Sequence, residues 1–157
     1  SIADSALPEG LQGARVLDAF SGSGAMGIEM LSREASTCAF FDIDRTAAAL
    51  VRRNLEMLRA ESGRWRVTCG DVLAHAARGR MPLAPYDLVL IDPPYQLGPA
   101  PAEELLAALA AKELLVPGAI ALFEHRSDLA GARLEGFELV REKRYGSTTI
   151  DVLRRSN

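Results

Sequence analysis

The tightest constraint on the fold is the spacing between strand-like runs. Five such runs, at about 15–19, 37–42, 65–69, 86–91 and 119–124, are separated by segments long enough to carry the chain back across a sheet. The last two, about 136–143 and 147–153, are joined only by a short turn at Tyr145-Gly146. A parallel connection needs a dozen or more residues, so these two must form an antiparallel hairpin. The expectation is an α/β fold: a Rossmann-like sheet of seven strands, mostly parallel, ending in one reversed strand, with helices on both faces.

Two intervening segments carry a clear helical period. Residues 45–60 gather Ala48, Leu50, Val51, Leu55 and Leu58 mainly on one side, and 102–114 do the same with Leu105, Leu106, Leu109 and Leu114. Residues 99–102 read as a loop. At 157 residues, 48% of them apolar, the chain is long enough for one substantial core and too short for two ordinary domains. We therefore expect a single domain over 1–157, monomeric and cytoplasmic, with no secretory signal, membrane span or metal site. Cys38 and Cys69 lie in apolar runs without metal-ligand spacing and are expected to be buried free thiols.

The formal net charge of −3 provides no general cation field, so any grip on a polyanion must be local. Basic residues do gather late, at Arg141, Lys143, Arg144, Arg154 and Arg155, but acidic neighbours dilute them and a solvated strand face accounts for them.

Directly after the first strand comes Asp18-Ala19-Phe20-Ser21-Gly22-Ser23-Gly24-Ala25-Met26-Gly27, followed by a helical segment to about Arg33. Gly22, Gly24 and Gly27 match G-x-G-x-x-G in a strand-to-helix setting, which brings backbone against a ligand but does not choose among dinucleotides, flavins and S-adenosylmethionine. Carboxylates narrow the choice. Asp18 ends the first strand, Asp42 the second and Asp71 the third. A carboxylate ahead of the glycine turn repels a pyrophosphate but accepts hydrogen bonds from an ammonium. Asp42 stands where ribose hydroxyls are bonded, and Asp71 can accept from an adenine amino group. Such a set suits a zwitterionic adenosyl ligand without phosphates, S-adenosylmethionine. Asp71 reads equally well as a helix N-cap, and Asp44 reads better as one.

The fourth strand runs into Asp92-Pro93-Pro94-Tyr95. Two prolines remove two backbone donors and hold the loop extended and stiff. An exocyclic amino group on a nucleic-acid base is a poor nucleophile because its lone pair is delocalised into the ring. Two fixed acceptors, the Asp92 carboxylate and the Pro93 carbonyl, can each take one N–H and turn the developing lone pair toward an electrophilic methyl group. Tyr95 would stack on the extruded base.

Other chemistry-bearing residues read as structural. Glu124 and His125 end the fifth strand and are taken as its solvated end, with lining of a substrate pocket as the alternative. His75 has no partner by spacing, Asn54 braces a loop, and Trp65 belongs to the core or its rim. Ser21 and Ser23 lack the partners of a nucleophile elbow.

Taken together, VLDAFSGSGAMGIEMLSREA, FFDIDRTAAALVRRNL and LVLIDPPY resemble the RsmD-type family of bacterial 16S ribosomal RNA guanine-N2 methyltransferases, from about Gly13 to the final strand. Glu29, Ser32 and Arg33 in the first string favour this family over DNA adenine or cytosine methylases, which share the Asp-Pro-Pro-Tyr logic. The resemblance implies cofactor contacts at Asp18, Gly22, Gly24, Asp42 and Asp71, to which the flanking Phe20, Ile43 and Val72 are added. It implies catalysis at Asp92, Pro93 and Tyr95, to which Pro94 is added, and a ribosomal RNA or small-subunit partner. The basic segment that family members usually carry ahead of the first strand is not in this sequence, and Asp42 stands where they commonly have Glu. The competing readings are a DNA amino methyltransferase, a dinucleotide-binding module and a non-catalytic assembly factor.

Overall fold

The computed structural model describes residues 2–94 and 98–156. Seven strands form one sheet: β1 Arg15–Asp18, β2 Thr37–Asp42, β3 Trp65–Cys69, β4 Tyr86–Ile91, β5 Leu115–Arg126, β6 Phe137–Tyr145 and β7 Thr148–Arg155. Their order is β3-β2-β1-β4-β5-β7-β6. The first five pair in parallel, and β7 runs against both of its neighbours, β5 and β6. The expected hairpin is present, with the reversed strand inserted between β5 and β6 rather than set at the edge.

Alternation along each interior strand divides the core in two. Val16, Cys38, Phe40, Leu88 and Leu90 face α2 (Ala25–Ser32) and α3 (Arg45–Met57), packing against Met30, Leu31, Ala48, Val51 and Leu55. Leu17, Ala39, Phe41, Val89 and Ile91 face α4 (Val72–Ala77) and α5 (Ala100–Ala111), against Val72, Ala76, Leu105, Leu106 and Leu109. Successive residues point to opposite faces, so strands covered on both sides read as continuous apolar runs. Each Val, Leu, Ile, Phe or Met side chain among them contributes roughly 1.5–3 kcal/mol on burial.

Several boundaries moved for local reasons. The expected helix over 45–60 stops at Met57, because Arg59 takes a left-handed φ of 55°. The helix expected over 102–114 covers Ala100–Ala111 instead: Pro101 opens it inside the segment read as a loop, and Glu113 has a left-handed φ of 56°. Strand β5 begins at Leu115 rather than 119, running through Pro117-Gly118 with a register shift against β4. A short helix, α1 (Ile2–Ala6), precedes β1, and Ala3, Leu7 and Leu11 behind it join the α2/α3 side of the core.

Cys38 is buried as expected, whereas Cys69 is exposed, its Sγ 3.7 Å from the Ile43 carbonyl. Strand β3 forms an edge of the sheet, so an apolar run there does not enforce burial at its end. Trp65 is half-buried at the rim, its indole N–H donating to Ala60 O at 3.3 Å. Among the described residues no helix is long and apolar enough to cross a membrane.

Candidate active site

The C-terminal ends of β1, β2, β3 and β4 meet along one edge of the sheet, as parallel pairing requires. The turn from β1 into α2 is shaped by two close approaches. Gly24 has φ 83°, and a Cβ there would sit 3.0 Å from Val51 Cγ1. At Gly27 a Cβ would run into the Phe40 ring, 2.8 Å from Cys38 Sγ and 2.9 Å from Asp18 Oδ2. Helix α2 therefore lies directly on the sheet, and the Gly27 N–H donates to Asp18 Oδ2 at 3.1 Å.

Asp42 ties this turn to β2. Its Oδ2 accepts from the Gly22 N–H at 2.8 Å and its Oδ1 from the Asp44 N–H at 2.9 Å. Asn54 braces the same loop, donating to Ser23 O at 3.0 Å, and the Ser21 hydroxyl donates to Phe41 O at 3.1 Å. Asp44 caps α3 through the Thr46 N–H and Asp71 caps α4 through the Leu73 N–H. The cap at Asp71 does not remove it from the site.

A cavity of about 400 Å³ opens beside these loops, lined by Phe20, Asp42, Ile43, Asp71 and Val72 and bounded by Pro93 and Pro94. Its described lining holds two carboxylates and no cationic side chain, with apolar surface around them. Such a lining accepts hydroxyl and amino donors and an apolar ring, and repels phosphate. A second cavity of similar volume, between Gly13, Asp87 and Gly118, lies at the opposite end of the strands, away from the expected residues.

Asp18 stands apart from the cavity lining and is 4% exposed. Burial pushes its carboxyl up to about 7, the Gly27 N–H pulls the other way, and the nearby Asp92 and Asp42 charges push it further up. Asp92 is half-buried; burial, then the Glu124 charge and a hydrogen bond with the Glu124 side chain, raise it to about 6. Pro93 is buried and Pro94 exposed, while Tyr95 lies outside the described residues.

The chain matches the family model described as Conserved hypothetical protein 95 over residues 3–154. It belongs to that family. A relative of this Conserved hypothetical protein 95 member, the ribosomal RNA small subunit methyltransferase D of Haemophilus influenzae, is 31% identical over 130 residues, covering 83% of this chain and 66% of the relative. The Escherichia coli protein of the same name is 35% identical over 85 residues, 54% of this chain and 40% of its own length. The chain thus spans less than two thirds of these relatives. A solved structure from Haemophilus influenzae assigned as a methylase superimposes with a TM-score of 0.81 at 28% identity, covering 94% of this chain and 89% of that one. The sheet of this Conserved hypothetical protein 95 member is accordingly the Rossmann-like methyltransferase sheet.

Two residues at the end of β5 depart from the expectation of a solvated strand end. Glu124 meets Asp92, and His125 is 4% exposed, stacked on Phe123 at 5.0 Å between ring centroids with its Nε2 3.2 Å from Asp151 Oδ1. The sequence places a carboxylate at Asp92 after the fourth apolar run and at Glu124 at the close of the fifth, and the pairing of β4 with β5 is what sets them side by side. His75, read as unpartnered, packs edge-on against Phe41 and has Nδ1 3.3 Å from Arg80 O.

Proposed function

We propose that this chain carries the S-adenosylmethionine-dependent methyltransferase domain of a ribosomal RNA enzyme, acting on the exocyclic N2 amino group of a guanine in small-subunit 16S RNA. The observation that carries this reading is the meeting of the cation-free cavity with the Pro93-Pro94 end of the Asp92 loop. The two relatives named as small-subunit ribosomal RNA methyltransferases support the RNA substrate. A dinucleotide would bring a pyrophosphate to a lining of carboxylates, and it has no use for Asp92-Pro93-Pro94.

S-Adenosylmethionine supplies, when bound, an electrophilic methyl group on a cationic sulfonium. In this reading Asp42 accepts from the ribose hydroxyls and Asp71 from the adenine amino group, with Phe20, Ile43 and Val72 as the apolar walls. Asp18, Gly22 and Gly24 would hold the methionyl end. Asp92 and the Pro93 carbonyl hold the two N–H bonds of the substrate amino group. On methyl transfer the Asp92 carboxylate would receive the proton that the substrate nitrogen sheds.

The test supplies tritiated cofactor with small ribosomal subunits, naked ribosomal RNA and duplex DNA in parallel, followed by digestion and identification of the labelled nucleoside. Label in N2-methylguanosine from either RNA substrate is the expected result. Label only in DNA, or in another nucleoside, sinks the reading.

A further inference from the structure

We propose that Glu124 makes the site selective for guanine, by accepting the N1–H that lies next to the reacting amino group. The proposal rests on the guanine-N2 reading above and names the residue that enforces it. Strands β4 and β5 pair with Leu90 opposite Leu122 and Ile91 opposite Phe123. One residue further, Asp92, just past the end of β4, comes beside Glu124, still within β5, on the face shared with Leu90 and Leu122, and adjacent parallel strands are only about 4.8 Å apart. The two carboxyl groups are near enough for the Glu124 charge to act on Asp92. Both are half-buried, so each keeps a solvent-facing side on which a ligand can replace the other.

Leu90 and Leu122, each two residues before one of the pair, line a mainly apolar cavity of about 290 Å³ together with Met26, Glu29 and Met30. The carboxyl pair therefore crowns an apolar surface, an arrangement suited to a flat aromatic group that presents a polar edge upward.

The edge that matches two neighbouring carboxylates is specific. Guanine places a ring N1–H beside its exocyclic amino group, a row of donors. Adenine and cytosine place a bare ring nitrogen there, an acceptor. An amino methyltransferase needs one acid at the position of Asp92. A second ionised acid beside it gains a charge-assisted hydrogen bond from guanine and faces a lone pair in adenine or cytosine.

The experiment uses the full-length protein and small-subunit RNA in which the mapped target nucleotide is either guanine or 2-aminopurine. The analogue keeps the 2-amino group but has a bare N1. The wild-type protein is expected to prefer guanine by about 100-fold in kcat/KM. In Glu124→Gln the carboxamide can donate to the bare N1, so the preference falls to about tenfold or less, with S-adenosylhomocysteine affinity by calorimetry unchanged within about threefold. A wild-type protein that uses 2-aminopurine as well as guanine overturns the proposal without recourse to any variant. So does a Glu124→Gln protein that keeps the full preference. If the mapped target is not a guanine, the parent reading fails and this one with it, a result recognisable before any analogue is made.

Discussion

The Gly27 N–H donates to Asp18 Oδ2 at 3.1 Å, joining the first turn of α2 to the end of β1 where a Cβ on the helix would have no room. Gly27→Ala must push the Phe40 ring, Cys38 and Asp18 at once, and Phe40 and Cys38 are fully buried. Overpacking of this kind costs about 1–3 kcal/mol. Urea unfolding should show that loss together with weakened S-adenosylhomocysteine binding; a variant of unchanged midpoint would contradict the close packing.

Asp18 should trade stability for binding. Its carboxyl titrates near 7 in the folded protein against 3.8 for the ordinary group, so the folded state holds the proton more tightly than the unfolded chain. Stability contributed at this position is greatest at low pH, declines as pH rises from about 4 to about 7, and is level above that. Asp18→Asn keeps an acceptor for the Gly27 N–H and cannot ionise. It should unfold later than the wild type at pH 8, by on the order of 3 kcal/mol, with a smaller gain at pH 5. The same variant should lose at least tenfold in cofactor affinity, because the acceptor for the methionyl ammonium is no longer charged. An unchanged or lower stability at pH 8 would count against the burial argument.

Asp92 must be ionised to accept the amino N–H bonds. With its carboxyl pushed up to about 6, kcat/KM should rise with pH through about 6 and flatten above it. Asp92→Ala should lower turnover by roughly 100- to 1,000-fold or more while leaving S-adenosylhomocysteine affinity within a few-fold. Retained turnover would remove Asp92 from the mechanism.

The pair formed by His125 and Asp151 serves the fold. Asp151 is fully buried; its Oδ2 accepts from the Ala132 N–H at 3.1 Å and lies 3.4 Å from Arg133 Nη1. These contacts hold the segment between β5 and β6 over the α5 face. Asp151→Ala leaves the buried Ala132 amide without its acceptor and should cost about 1–3 kcal/mol. Denaturant unfolding measures it, and hydrogen exchange should quicken first around Ala132.

Much of the candidate cavity could be read along the chain, because parallel strands deliver their C-terminal ends to one edge. A carboxylate closing each of the first three strands is therefore a statement about space as well as order. Phe20, Asp42, Ile43, Asp71 and Val72 do line one cavity, and the hairpin of β6 and β7 follows from a turn too short for any crossover.

What lay beyond the sequence depended on pairing and register. The insertion of β7 between β5 and β6 is a choice among neighbours that no local pattern specifies. The helix ends at Arg59 and Glu113 rest on left-handed residues that are not glycine and so carry no sequence mark. Glu124 reads as a strand end until β5 is laid beside β4; only then does its parity put it against Asp92 rather than into solvent. A side chain's chemistry is local, but the partner that gives it a role is supplied by a strand some thirty residues away, and that proximity exists only once the sheet has formed.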